Sequence, residues 1–369
     1  MSPENILLTA DNCRYCLMCR HVCPVAHVTR LETLTPHGWG LLISSERRGL
    51  ISWNESSVDR LYSCADCGTC RAHCVTDQPL PYAIAVARAQ VVDQRKAPET
   101  AYAVDESLRA WGNPYREQLP EPVSGLGDVA LFVGDDACWQ RPDVLDAALL
   151  LLKGVGIEPV LVGVGRNSGY LASSLGFPET ARQLAAANLA DIRASDAHKL
   201  LVLTPGDYYA FSQLYEERLG IDWPRSVIVE EVTNFLAEEL ALGHLAFRRS
   251  AESPPYAYVD PPHSLRVPDR HDAPRKLLTA IMPDNRRELF WRRDRAHPVG
   301  SSSLQYVQPD IATDLTYARL GDANAVGAEL IITEDPGALH ALDTHAARFR
   351  LRAQGLYELL AAHLGSETV

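Results

Sequence analysis

Eight of the nine cysteines in this chain fall into two runs, CRYCLMCRHVC at residues 13–23 and CADCGTCRAHC at residues 64–74. Each run has the spacing C-x2-C-x2-C-x3-C, and the two lie about fifty residues apart. Eight thiols crowded in this way leave few folds open, because whatever they hold must be held by both runs. A disulfide framework fits poorly: cysteines this close together would need partners elsewhere, and only Cys138 lies outside the runs. Paired four-cysteine zinc sites fit poorly as well, since a zinc knuckle usually contributes two cysteines rather than four.

The spacing does match the ligand pattern of paired [4Fe-4S] clusters. One tight loop can offer three thiolates to three corners of a cubane, and the fourth iron takes a sulfur from elsewhere. In two-cluster ferredoxins the fourth cysteine of each run crosses to the other cluster. The expected groups are therefore Cys13, Cys16, Cys19 and Cys74 for one cluster, and Cys64, Cys67, Cys70 and Cys23 for the other. Pro24 follows the first run, as the pattern expects, and is read as ending the local helix; Val75 stands in that place after the second. Arg14, Arg20, Arg71 and His73 lie inside the motifs and are candidates either for tuning the cluster potentials or for facing solvent.

The remaining composition is that of an ordinary globular chain, with no apolar run of membrane-spanning length. The first residues, MSPENILLTADNC, lack a basic stretch before an apolar core, so no secretory signal is read there. Thiolate-held clusters suit a reducing compartment, and the expected location is cytoplasmic, with any membrane contact peripheral and made through a partner. A net charge of −12 argues against a nucleic-acid partner, which would require a basic face.

Residues 1–120 read as a helical unit bearing the clusters. Pro36 to Gly40 reads as a turn-rich loop, and residues 82–99 as one helix. Residues 111–128 are rich in Pro and Gly and read as a linker. Strand and helix patterns then alternate: VALFVG, a helix opening at Pro142, EPVLVG, a helix around residues 181–195, KLLVLT, a helix from Asp207 and SVIVEEV. A second pass starts near Tyr256 and continues through a helix at APRKLLTAI, a long helix over 310–329 and the strand LIIT. Such alternation predicts an α/β fold with a parallel sheet. LLVLTPGDYYAF and LIITEDPGALHAL both place an apolar strand before Pro-Gly and a helix after it, which implies a duplicated module, with units at 126–250 and 255–369.

With these features together, the chain resembles the iron-sulfur subunits built from a two-cluster ferredoxin-like domain and two cysteine-rich CCG modules. That family includes the iron-sulfur subunits of glycolate oxidase and of anaerobic glycerol-3-phosphate dehydrogenase, the lactate-utilisation iron-sulfur subunit and heterodisulfide reductase D-like proteins. The resemblance implies an N-terminal helical two-[4Fe-4S] domain followed by two tandem CCG-like α/β modules. Here the module cysteines are replaced. Gly134-Asp135 stands where the family has a cysteine after the first strand's glycine, Asn167-Ser168-Gly169 stands for the first Cys-Cys-Gly, and Thr204-Pro205-Gly206-Asp207 stands for Cys-Pro-x-Cys. In the second module Pro262 takes the cysteine position of a motif that keeps Asp260, Pro261 and His263. Pro298-Val299-Gly300 and Asp335-Pro336-Gly337-Ala338 complete the set.

Without those thiolates the modules are expected to hold no third cluster, and a self-sufficient CCG reductase is disfavoured. Asp135, Asp136, Asp207, His263, His297 and Asp335 could gather where the ligands would sit, either as a metal site or as polar residues facing a vacated cleft. Cys138 reads as a small buried residue or, alternatively, a redox thiol. The basic run FWRRDRAH, residues 290–297, reads as a solvated face or a docking patch. The resemblance implies an electron-transfer subunit rather than a catalytic one, passing single electrons between a flavin-containing partner and a further carrier or quinone-linked partner. The alternative is a structural adaptor whose α/β modules dock partner subunits.

Overall fold

The computed structural model describes residues 3–120, 125–267 and 270–365. Up to Trp111 every regular element among the described residues is helical. Pro36 to Gly40 opens the helix Pro36–Arg47 and is not a loop: Pro36 takes the first turn, where a missing N–H costs nothing, and Thr35 Oγ1 accepts from the Gly38 N–H at 3.0 Å. Asn54 and Ser57 cap the helix Glu55–Tyr62 reciprocally. The helix expected over 82–99 is instead Leu80–Asp93, interrupted at left-handed Arg95, and a separate helix runs from Glu99 to Trp111. Pro24 opens the helix Pro24–Thr29 rather than closing the one before it. Between Trp111 and Val129 the described residues form neither helix nor strand, and residues 121–124 of the expected linker lie outside the described residues.

The rest of the chain is α/β, with all named strand pairs parallel. Strands β1 (Val129–Val133), β2 (Val160–Val164), β3 (Lys199–Val202) and β4 (Ile228–Glu231) form a sheet of order β2-β1-β3-β4. Strands β5 (Tyr256–Tyr258), β6 (Leu330–Thr333) and β7 (Arg352–Gly355) form a second sheet of order β5-β6-β7. The apolar runs of β1 and β3 are continuous because both faces of the first sheet are covered. Ala130, Phe132, Leu200 and Val202 pack in a core shared with the N-terminal helices, through Tyr62, Ala83 and Ala87. Leu131, Val133, Leu201 and Leu203 face a second core, which also takes Tyr256, Tyr258, Leu330 and Ile332 from the other sheet. The two sheets therefore share an apolar interior.

The duplication runs deeper than the Pro-Gly motif. Thr204 caps the helix after β3 by accepting from the Asp207 N–H, and Asp335 caps the helix after β6 by accepting from the Ala338 N–H, at the same spacing of three. Gly169 and Gly300, nine positions before the helices Pro178–Ala194 and Pro309–Ala325, meet the fourth residue of each. A Cβ on Gly169 would lie 2.8 Å from the Ala181 carbonyl oxygen, and one on Gly300 would lie 2.0 Å from that of Ala312. These glycines are required by helix packing alone. Strand β7 has no signature in the sequence; RAQG is a short polar edge strand without alternation. The helix expected from Asp207 is Pro205–Tyr209, which widens through a π-helical turn at Ala210–Leu214.

Candidate functional site

The two cysteine loops share one backbone conformation. Tyr15 and Leu17 are left-handed at two and four positions after Cys13, and Asp66 and Gly68 are left-handed at two and four positions after Cys64. In both loops the residue two on donates its N–H to the first sulfur: Tyr15 N to Cys13 Sγ at 3.4 Å, and Asp66 N to Cys64 Sγ at 3.3 Å. A four-residue helix follows each, Met18–His21 and Thr69–Ala72. Left-handed non-glycine residues, two in the first loop and one in the second, are a strain that ordinary turns avoid. The matching conformation curls each chain around its sulfurs.

The last cysteine of each run lies near the other run. Cys19 lies within electrostatic reach of Cys13, Cys16 and Cys74, and burial with those three neighbours pushes its thiol up to about 11. Cys23 lies within reach of Cys67 and Cys64, and burial raises its thiol well above the ordinary value. Cys70 is raised likewise by burial, facing Cys67, Cys64, Cys23 and also Cys19, so the two groups adjoin. Burial pushes Cys64 to about 12. Cys74 is the exception, because hydrogen bonds from Thr76 and the Gln78 N–H outweigh its burial and lower its thiol. The groups also differ in depth: Cys16 is exposed, whereas Cys23 and Cys64 are buried.

These donors fit a pair of cubanes in their chemistry: eight thiols in two groups of four, several of them buried. Among the described residues no group of three or more His, Cys, Asp or Glu side chains closes around a single metal ion. A cubane spreads its thiolates over four irons, so its ligands stand wider apart than those of one ion.

Of the basic residues inside the motifs, Arg20 pairs with Glu32 at 2.6 Å and Arg71 with Asp77 at 2.9 Å, both at the surface, and Arg14 is exposed. His73 Nδ1 is 3.1 Å from the Thr69 carbonyl. The cations nearest the inner group come from elsewhere. Arg266 Nη2 donates to both the carbonyl and the carboxylate of Asp66, at 2.7 Å each, and Arg88 Nη2 donates to the Cys64 carbonyl at 3.0 Å. Neither lies in a cysteine motif, so spacing cannot reveal them.

A second site lies where the strands of both sheets end, the usual place for a ligand in open α/β folds. A cavity of about 90 Å³ is lined by Asp135 and Asp136 after β1, Asn167 and Ser168 after β2, Asp207 after β3, His263 after β5 and Asp335 after β6. Several of the positions where the resemblance puts cysteines thus converge, and five of the six candidate polar residues line the cavity. His297 is not: it stacks on Trp291 at 3.8 Å and its Nε2 is 3.1 Å from the Val22 carbonyl, beside Cys23. Burial raises all four carboxyls, Asp207 to about 6 and Asp335 to about 8, with the charge of Asp136 adding to both. Tyr115 donates to Asp136, and Asn167 Nδ2 to Asp135 at 2.8 Å. The cavity reaches the inner cysteine loop through Tyr170, whose hydroxyl donates to Asp66 and lies 3.3 Å from His263 Nδ1.

Cys138 is partly buried against the second core, and burial, then Asp135, raises its thiol, which disfavours a reactive thiolate. In the basic run, Arg292 pairs with Glu288 and Arg293 with Asp272, while Arg295 lies over the exposed ring of Phe290. The run is therefore a half-buried segment whose arginines are mostly paired within the chain, and its end, Ala296 and His297, is buried. Among the described residues no helix is long and apolar enough to cross a membrane.

No protein-family profile matches this chain. Its sequence is similar to the "Probable iron-sulfur-binding oxidoreductase FadF" of Bacillus subtilis strain 168, at 23% identity over 354 residues, covering 86% of this chain and 49% of that protein. The chain thus spans about half the length of the curated relative it matches. Among solved structures it is similar to a hypothetical protein from Helicobacter pylori, with a TM-score of 0.62 and 10% identity over all of this chain and 77% of that one, a likeness of fold alone.

Proposed function

We propose that this chain is an electron-transfer iron-sulfur protein that holds two [4Fe-4S] clusters, an outer one on Cys13, Cys16, Cys19 and Cys74 and an inner one on Cys23, Cys64, Cys67 and Cys70. The observation that supports the reading is the nearness of Cys74 to Cys19 of the first loop and of Cys23 to Cys64 and Cys67 of the second. The bound clusters supply one-electron transfer at a potential set by the protein around them. Cys16 gives the outer group an exposed side at which a partner can approach, and the burial of Cys23 and Cys64 keeps water from the inner group. Cys70 lies within electrostatic reach of Cys19, so the two groups adjoin and the electron path is short. The proposed donor is a flavin-containing oxidoreductase subunit, and the acceptor a further carrier or quinone-linked partner.

A second reading, a structural adaptor, is favoured by the carboxylates that occupy the module cavity in place of thiolates. The two readings part in the reconstituted complex: in an electron carrier the clusters are reduced by substrate at the turnover rate, and in an adaptor they stay oxidised. The cluster assignment itself is tested by metal analysis. Anaerobically purified protein should contain about eight iron and eight acid-labile sulfide per chain, as two cubanes require. Zinc, or four iron, refutes it.

A further inference from the structure

Arg88, on the helix Leu80–Asp93, is 1% exposed. Its hydrogen bonds all end on backbone carbonyls: Nε to Leu61 at 3.2 Å, Nη2 to Leu61 at 2.9 Å and to Cys64 at 3.0 Å, and Nη1 to Ser174 at 2.8 Å. Its guanidinium carbon lies 4.9 Å from the centroid of the Tyr62 ring. Among the described residues it has no carboxylate partner. Other buried arginines do: Arg270 reaches Glu231 and Glu334, Arg275 reaches Asp260, and Arg319 reaches Asp322. A buried cation with no counter-charge is costly, and such charges are normally paired. The position of Arg88 therefore calls for an anion beside it.

The nearest candidate is the site of the inner cluster. Arg88 binds the carbonyl of Cys64, and its charge is the strongest electrostatic pull on that sulfur. The neighbouring carboxylate, Asp66, is already matched by Arg266 at 2.7 Å. A cubane with four thiolates is an anion that gains a further negative charge on reduction, and nearby charge and burial set its potential. We infer that Arg88 is the buried counter-charge of the inner cluster and raises its reduction potential by favouring the more negative, reduced state. This rests on the two-cluster reading. It makes Arg88 a positioning residue that acts through charge, with the Ser174 and Leu61 carbonyls holding the guanidinium in place.

The test is a redox titration of the full-length, anaerobically purified protein followed by electron paramagnetic resonance, with the two signals assigned from Cys23→Ser and Cys74→Ser variants. Iron and sulfide are assayed first: if the wild-type protein lacks two clusters, the two-cluster reading fails before Arg88 is at issue. With clusters present, Arg88→Gln should disfavour reduction of the inner cluster about tenfold, a fall of about 59 mV for a one-electron couple, and leave the outer cluster unmoved. Arg88→Lys keeps the charge and loses the fork, and should stay near the wild-type potential. An unchanged inner potential in Arg88→Gln overturns the inference. So do equal shifts in the Gln and Lys variants, which would mark a purely structural clamp. If Arg88→Gln fails to retain the inner cluster, Arg88→Lys decides: a wild-type potential supports the inference and a tenfold shift overturns it.

Discussion

Replacing Asp335 by asparagine should stabilise the protein, and by more as the pH rises, in a window that follows from the module cavity. Burial, then the charge of Asp136, pushes the Asp335 carboxyl up to about 8, with Glu334 and Asp207 adding and the Ala338 N–H opposing. Glu334 is itself tied to Arg270, and Asp136 has His340 on its other side. In the unfolded chain an aspartate loses its proton near pH 4, so between about pH 4 and 8 the folded chain binds more protons and its stability falls as pH rises. The shift spans about four pH units at ~1.4 kcal/mol each, a ceiling of about 6 kcal/mol. Because the neighbouring acids share one repulsion, less than half of that is expected, about 2 kcal/mol in favour of Asp335→Asn at pH 8. Asparagine still caps the helix Pro336–Ala346, so the cap is not lost. At about 2 °C per kcal/mol for a chain of this size, the melting temperature should rise by roughly 4 °C at pH 8 and by clearly less at pH 6. The assay is thermal unfolding by circular dichroism of cluster-loaded protein, under anaerobic conditions, at several values between about pH 6 and 8. Taking the difference between variant and wild type cancels Glu231 and Glu358, which burial also raises to about 7. Parallel pH curves for the two proteins would refute the reasoning, since Asp335 would then titrate alike in both states.

Three further outcomes follow from the geometry. Cys74→Ser should damage the outer cluster and Cys23→Ser the inner one, read by electron paramagnetic resonance; damage confined to the cluster of the mutated residue's own run would refute the exchange. Gly300→Ala drives a Cβ into the Ala312 carbonyl and should cost about 3 kcal/mol, the upper end for overpacking, in chemical denaturation as the helix Pro309–Ala325 is forced away. Arg270→Met leaves Glu231 and Glu334 buried without their shared cation, and should destabilise by about 3–5 kcal/mol at pH 8 and by less at pH 6, where more of Glu231 is protonated.

What can be read in the sequence and what cannot separate along a physical line. The cysteine runs are legible because a cubane takes most of its ligands from one loop, so the chemistry is written as local spacing. The parallel α/β fold is legible for a similar reason: strands buried on both faces, such as β1 and β3, are continuous apolar runs. The helix at Pro36 reads wrongly as a loop because proline and glycine punctuate turns on average, yet Pro36 lies in the first turn, where its missing N–H is harmless. Strand β7 escapes because a short polar edge strand carries no periodicity. His297 groups with the cavity acids by residue type, and nothing local marks the chain path that carries it to Val22 instead.

The two features that bear most on function beyond the motifs are both properties of assembly. The cavity exists only when the ends of strands from two sheets meet, and its acids are spread over about two hundred residues of chain, so no window of sequence contains it. Its carboxyls hold their protons to higher pH because they are buried together, whereas each alone in solvent would ionise near pH 4. Arg88 is harder still to see from sequence, since within the helix Leu80–Asp93 it reads as one more polar residue among alanines and valines. What marks it is that, among the described residues, it has no carboxylate partner, whereas the deeply buried Arg270, Arg275 and Arg319 each reach one. The same comparison separates the two halves of the inner site: Arg266 neutralises Asp66 within the protein, whereas Arg88 is left with charge to spare beside Cys64. Surplus positive charge there favours whichever state of the site is the more negative, and for a thiolate-held cluster that is the reduced one.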